Sequence, residues 1–399
     1  MLVTDGDQRA ALAVVRSLGR AGHEPFVCES RPRSLAGASR HARRQAVAPD
    51  PLAEPEAFRA ALTDLVREWR IDVLLPISEA ALLAVLPHRE AFAGVAIPFP
   101  DAARFRRISD KAELLEVARG IGIGVPAQYR VDCRGAADAL PAQPIHYPVV
   151  VKPTRSVVEA ARGGRAKASV VHVADDVALR ALPPESFPVL VQERIVGPGT
   201  GVFLLLHEGE VVASFGHRRI REKPPAGGVS VSRESVRPDP ELEALSIRLL
   251  QAFSWDGVAM VEYKVDARTG APYLMEVNGR FWGSLQLAID AGVDFPALLV
   301  QLACGDRPAA VRSYRTGVVS RWSWGEVDHL LARLRHSRQA LALPPGYPGR
   351  ARAILDFLRA FGPRSRDEVF RLGDPGPAVR EARDRLAGGG ALMRRLRWR

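Results

Sequence analysis

The sequence predicts an α/β protein: a parallel sheet covered by helices, then strands paired in hairpins, then a helical tail. Three observations carry this expectation. Strand-like and helix-like segments alternate over about the first hundred residues, the pattern of parallel strands joined by covering helices. Farther on, apolar runs such as VAMVEYKV (258–265) and YLMEVNGRFWGS (273–284) meet at a short polar turn, DARTG (266–270). The last stretch is Arg-rich, helical in pattern and broken by Pro and Gly, as in LPPGYPGRAR and FGPRSRDE. At 399 residues the chain is long for one domain.

Taken in order, LVT (2–4) is a strand, ALAVVRSLGRAGH a helix and PFVCE a strand. The helix EAFRAALTDLVREW precedes DVLLP, SEAALLAVL and GVAIPF. The first turn, TDGDQRA, lacks G-x-G-x-x-G spacing, so a dinucleotide site is not expected. RPRSLAGASRHARR (31–44) reads as a solvated loop and helix start, or as a patch near an anionic ligand. In ISDKAELLEVARGIGIGVP, Ser109 or Asp110 caps a helix that ends around Gly120 to Gly124, with Pro126 beyond. A Pro-containing linker (139–148) leads into the strand VVVKP, which ends at Lys152. The loop TRSVVEAARGGRAKAS, the strands VVHVA and PVLVQERIV, and a hairpin turned at Glu208 to Glu210 follow. PDPELEALSIRLLQAF is a helix, and LQLAIDAGVDFPALLVQLACG gives two more that close the unit near residue 305.

Composition narrows the functional classes. The 47% hydrophobic content suits a globular core, and no apolar run reaches the roughly 18 to 20 residues of a membrane span. The start, MLVTDGDQRA, lacks the charged-then-apolar order of a signal peptide. Cys28, Cys133 and Cys304 stand far apart, without metal-ligand spacing, and fit a reducing compartment. A cytoplasmic protein without a transmembrane segment is therefore expected. The net charge of +11 is spread out and not interleaved with aromatics, so no nucleic-acid partner is expected. The terminus ALMRRLRWR is either a solvated helix or a weak peripheral contact with an anionic membrane surface. Lys stands only at 111, 152, 167, 223 and 264, and Arg supplies the other 51 of 56 cations. Lysines that persist against such a bias point to places where a compact ammonium serves and a planar guanidinium does not.

The chemistry concentrates in the hairpin 258–284. Without a bulge, even-numbered residues share a face, which then carries Glu262, Lys264, Glu276, Asn278 and Arg280. Facing carboxylates repel unless a cation lies between them. Carboxylate and amide oxygens suit a hard cation such as Mg²⁺, which takes its remaining ligands from water and phosphate. The alternative is a solvated outer face, where such residues are common.

A DK pair opening a helix, YPVVVKP, a Gly-containing loop, VQERI, VEYK and LMEVNGR stand in an order that resembles the ATP-grasp superfamily over roughly residues 1–305. That superfamily includes biotin carboxylase, carbamoyl-phosphate synthase, D-alanine ligase and D-aspartate ligase; the carbamoyl-phosphate-synthase-like, carboxylate–amine ligase branch looks closest. The resemblance implies a Rossmann-like domain (1–100), a two-subdomain ATP-grasp domain (101–305) and a basic helical extension (306–399) outside the catalytic unit. By position, Lys111 and Lys152 match lysines on ATP phosphates, and Gln192, Glu193 and Ile195 match the adenine segment. Glu262, Glu276 and Asn278 match Mg²⁺ ligands, with Mn²⁺ as the alternative ion, and Arg280 matches the arginine beside the transferred phosphate. The loop 161–168, with Gly163, Gly164 and Lys167, either folds over phosphates or is an ordinary turn. Two departures stand out: the usual ribose acid is replaced by GPGTG (197–201), and the usual aromatic of the adenine segment is Arg194.

The strand HRRIRE places Arg219 and Arg221 on one face, and these or Arg233 serve as a clamp for a substrate carboxylate or acyl phosphate; the alternative is a solvated edge. The implied activity is an ATP-dependent ligase. A small carboxylate takes the γ-phosphate, and an amine then displaces phosphate to form an amide. Rival expectations are bicarbonate activation on the same fold, an ATP-binding scaffold or sensor without turnover, and, on charge alone, nucleic-acid binding.

Overall fold

The computed structural model describes residues 1–132, 146–159, 164–167, 170–183, 188–344, 346–362 and 365–387. Cys133, most of the linker 139–148, Gly163 and the terminal ALMRRLRWR lie outside the described residues.

The alternating N-terminal pattern folds into β1 (Leu2–Val3), α1 (Arg9–Arg20), β2 (Phe26–Glu29), β3 (Arg44–Val47), α2 (Pro55–Glu68), β4 (Leu74–Leu75) and α3 (Glu79–Val85). All pairings are parallel, in the order β3-β2-β1-β4. Strand β3 was not legible in RPRSLAGASRHARRQAV: it is a polar edge strand, which needs no apolar alternation. The expected strand GVAIPF contributes only a bridge, Val73 to Ala96. Helix α1 is buried from Ala10 through Leu18, Arg16 included, and packs on both the sheet and later helices.

Helices α4 (Ala102–Ser109) and α5 (Lys111–Gly120) lead to the second unit. Of the two candidate caps Asp110 serves α5, accepting from the Ala112 and Glu113 amides at 3.1 and 3.4 Å. That fixes Lys111 as the first helical residue. The second sheet is antiparallel, in the order β5-β10-β6-β9: β5 (Gln128–Val131), β6 (Val149–Pro153), β9 (Val171–Val173) and β10 (Val189–Glu193). Its small core is Val131, Val149, Val151, Val173, Leu179, Val189 and Val191, with Leu179 supplied by α6 (Asp176–Arg180). The segment read as a loop holds a two-stranded ribbon, β7 (Val157–Glu159) with β8 (Arg165–Lys167).

The largest sheet has the order β15-β14-β11-β12-β13-β16-β17. Its strands are β11 (Gly199–His207), β12 (Glu210–Lys223), β13 (Val229–Val236), β14 (Gly257–Val265), β15 (Pro272–Asn278), β16 (Val319–Arg321) and β17 (Ser365–Asp367). Glu208 and Gly209 both have positive φ (51° and 83°), the two-residue turn that suits a twisted hairpin. Helices α7 (Pro240–Ala252), α8 (Leu285–Ala291) and α9 (Phe295–Ala303) cover the sheet. Gly292, at φ 111°, ends α8. No single helix among the described residues is long and apolar enough to cross a membrane.

The region after residue 305, expected as a basic helical extension, holds helices and two short strands. Besides α10 (Ser323–Arg335), α11 (Arg350–Ala360) and α12 (Gly376–Ala387), the region gives β16 and β17 to the large sheet. Three-residue polar strands carry no periodic signal. Ion pairs hold them in place: Arg16 meets Asp374 at 2.8 Å, Arg221 meets Glu326, and Lys223 and Arg385 share Asp328. Glu368 takes both Arg9 and Arg233. The described part of this tail is therefore built into the protein rather than appended to it.

Candidate functional site

A cleft of about 420 Å³ opens between the second sheet and the large sheet. At one end its walls are Val150, Ile195, Met260 and Met275, beside Gln192 and Glu193 where β10 runs out. Gln192 is buried and donates to Gln128 Oε1 at 3.1 Å. The Glu193 amide bonds Ala127 O at 2.8 Å, whereas the Ile195 amide makes no backbone hydrogen bond among the described residues. A flat apolar slot with a free backbone donor at its rim suits a purine. Arg194, at the place of the usual aromatic, turns its guanidinium to Ala342 O.

Lysines converge on the middle of the cleft. Lys111 reaches Ser156 Oγ at 2.8 Å. The Lys152 ammonium, at the end of apolar β6, makes no hydrogen bond or ion pair among the described residues. Burial, aided by Lys111 and Lys264, lowers its pKa to about 8 against the pull of Glu276 and Glu262. Lys264 lines the same wall, under the Gly227–Gly228 turn. Three of the five lysines thus face the cleft, whereas Lys223 is bound to Asp328. Lys167, at the exposed end of β8, is not among the residues that line the cleft, and its charge is felt at Glu79.

The opposite wall is the hairpin β14–β15. A bulge follows Glu262, so the strict even-numbered face holds only up to it, yet Glu262 still faces Glu276 and Met260 faces Asn278. Asn278 Nδ2 donates to Glu276 at 3.0 Å, and Arg280 Nη2 donates to Asn278 Oδ1 at 2.9 Å. The pKa values of the two carboxylates are pushed in opposite directions. Burial pushes Glu262 up in pKa, opposed by Arg219. Burial acts on Glu276 too, but Lys111, the Asn278 amide, Lys152 and Arg280 together hold it below the usual carboxylate range.

Two carboxylates and an amide oxygen fit Mg²⁺, which keeps waters and phosphate oxygens for its other positions. Among the described residues no three His, Cys, Asp or Glu side chains form a complete metal cage, so such an ion would need the nucleotide.

Of the three arginines expected to clamp substrate, only Arg219 lines the cleft. It lies across Gly199, where a Cβ would stand 2.7 Å from its Cδ, and reaches Glu262 at 2.6 Å and Glu222 at 2.6 Å. The GPGTG stretch thus makes room for an arginine where a ribose acid was missed. Arg221 is turned away by irregular pairing of β12 with β13 and forms a two-pronged pair with Glu326. Arg233 is fully buried and paired with Glu368. Sequence reasoning missed Arg9, Glu222 and His217 as cleft residues, because their elements meet the hairpin only in the tertiary fold.

Comparison with known proteins agrees with this geometry. Residues 185–324 match the family model described as ATP-grasp in the biosynthetic pathway with Ter operon. The chain has an ATP-grasp fold. No curated protein matches it by sequence. Among solved structures, L-amino acid ligase from Bacillus licheniformis superposes with TM-score 0.58 at 19% identity, over 76% of this chain and 73% of that one. Biotin carboxylase from Campylobacter jejuni gives 0.61 at 17%, over 80% and 74%. N5-carboxyaminoimidazole ribonucleotide synthetase from Thermus thermophilus gives 0.58 at 16%, over 79% and 81%. At such identities the likeness is one of fold.

Proposed function

We propose that the protein is a carboxylate–amine ligase using Mg-ATP. The observation that carries this reading is the single cleft in which Glu262 and Glu276 face each other while Lys111 and Lys152 approach from other elements. Adenine enters the slot of Val150, Ile195, Met260 and Met275, and the triphosphate runs toward Lys111, Lys152 and Arg280. Glu262, Glu276 and Asn278 hold Mg²⁺, which when bound neutralises phosphate charge. A substrate carboxylate oxygen attacks the γ-phosphorus, the bond to the β–γ bridging oxygen breaks, and ADP leaves. Lys152 and Arg280 stabilise the charge that builds on the moving phosphoryl group. An amine then attacks the acyl carbon, phosphate departs, and the amine's proton is lost as the amide forms.

The test is ADP release over amino acids and small carboxylic acids, with hydroxylamine added to trap acyl phosphate as a hydroxamate. Carboxylate-dependent ADP and hydroxamate are expected. ADP release that responds only to bicarbonate would replace this reading with carboxylation chemistry, and nucleotide binding without any turnover would replace it with a sensor.

A further inference from the structure

Beyond the metal face the chain runs on through Arg280-Phe-Trp-Gly-Ser284, of which Arg280, Trp282, Gly283 and Ser284 line the cleft. Trp282 is buried between Phe203 (4.5 Å) and Phe295 (5.1 Å), and its Nε1 has no hydrogen-bond partner among the described residues. His217 packs edge-on against Phe203 and lies over Gly201, where a Cβ would stand 3.3 Å from Nε2. Nε2 is likewise buried without a partner, while Nδ1 lies 3.4 Å from Ser284 Oγ. Arg9, the first residue of α1, completes this end. Its guanidinium stacks 4.2 Å over Trp322, Nη1 is held by Glu368, and Nη2 lies along the Gly283 backbone. Burial lowers the Arg9 pKa only to about 10, so it remains a cation near neutrality.

The unspent groups here are chiefly donors. An indole N–H can only donate, Arg9 is a cation, and His217 donates through Nε2 whenever Nδ1 accepts from Ser284. Buried donors without partners are costly, and an acceptor-only anion would satisfy several at once. Of the three arginines first expected to clamp substrate, Arg221 and Arg233 do not line the cleft, and Arg219 is held between Glu262 and Glu222. We infer that Arg9, Trp282, His217 and Ser284 form the subsite that takes the carboxylate of the acid substrate, with Arg9 its anchor and Glu368 the positioning residue behind that anchor. This rests on the ligase reading above for the identity of the cleft. Arg9 and Glu368 lie outside the matched segment 185–324 while His217, Trp282 and Ser284 lie inside it, so only the anchor and its positioning residue come from parts of the chain that the family match does not cover.

The experiment is calorimetric binding to the full chain loaded with AMP-PNP and Mg²⁺, using the common amino acids, acetate, succinate and bicarbonate. Amino alcohols and amino-acid amides serve as carboxylate-free counterparts. At least one carboxylate is expected to bind while its counterpart does not. Its affinity should fall about tenfold or more in Arg9→Gln and severalfold in Trp282→Phe, since each loses a buried donor to an anion. AMP-PNP affinity should stay within about twofold in both, as uniform damage would not predict. Should Arg9→Gln fail to fold, Trp282→Phe carries the comparison. Binding of bicarbonate alone, weakened by the same changes, would keep the site and displace the amide-forming reading. The subsite is overturned if no carboxylate binds, or if binding is indifferent to both substitutions. Failure of AMP-PNP itself to bind would sink the ATP reading instead, and the panel repeated without nucleotide would still read the subsite.

Discussion

Arg219 Nη2 stands 2.6 Å from Glu262 Oε2, so a candidate metal ligand is already occupied by a side-chain cation. Glu222, also 2.6 Å away, holds the same guanidinium from the other side. A divalent ion approaching Glu262 must share that carboxylate with Arg219 or displace it. Removing the guanidinium should therefore favour the ion: Arg219→Gln is expected to lower the Mg²⁺ concentration for half-maximal AMP-PNP binding severalfold, a modest share of a Coulomb term that is roughly 4 kcal/mol at 4 Å and an effective dielectric of 20. Titrating Mg²⁺ against a fluorescent nucleotide checks this. An unchanged or raised requirement would show that Arg219 does not compete for the metal position.

Glu276 is the carboxylate that the site keeps ionised, through Lys111, the Asn278 amide, Lys152 and Arg280. Glu276→Gln should abolish Mg²⁺-dependent ADP formation, with a drop of at least about a hundredfold, because both the metal ligand and the counter-charge are lost. It should also lower the melting temperature, since a buried carboxylate amid cations offsets their mutual repulsion. Near-normal turnover at saturating Mg²⁺ would remove Glu276 from the metal site.

What could be read beforehand follows the range of the physical signal. The Asp110 cap, the DARTG turn and the β6 strand ending in Lys152 are local, and each stands where the residues placed it. The Glu262–Glu276 pairing was legible because a five-residue turn leaves few registers, although the bulge after Glu262 was not. Arg221 could not be assigned, since its direction depends on irregular pairing with a strand whose partner, β16, lies nearly a hundred residues on. Arg9 was hidden for the same reason. Nothing in an N-terminal helix start reveals that Trp322 and Glu368 will stand beside it.

The tail's integration changes what truncation should do. From sequence, a chain ending near Arg312 is expected to keep nucleotide binding if it folds. In the structure that cut removes the acids that face Arg16, Arg221, Arg233 and Lys223, and two strands of the large sheet. Stripping a partner from a buried ion pair costs about 3–5 kcal/mol, and several are lost together against a typical total stability of about 5–15 kcal/mol. The shortened chain should be insoluble or unfolded by circular dichroism. A folded, soluble product that binds ATP normally would show that the tail is dispensable to the cleft.

Lys152 allows a test in which charge is kept and shape is changed. Its ammonium ends a buried strand, with a pKa lowered to about 8 from 10.5, and no protein group bonds it among the described residues. The linkage sign follows: between about 8 and 10.5 the unfolded chain binds a proton that the folded one has released. This group therefore costs stability at neutral pH, and the cost falls as pH rises through that window. Nucleotide binding should run the other way, because phosphate needs the ammonium: kcat/KM for ATP is expected to decline as pH rises past about 8. Lys152→Arg would keep the charge through that range and flatten this limb. Its wider planar group would nonetheless displace the phosphates, and a shift near 1 Å can cost on the order of a hundredfold in rate. The pair of measurements separates charge from fit. A variant that keeps more than about a third of wild-type kcat/KM would show that a point charge is not what the site selects, and a limb that persists unchanged would assign the titration to a group other than Lys152.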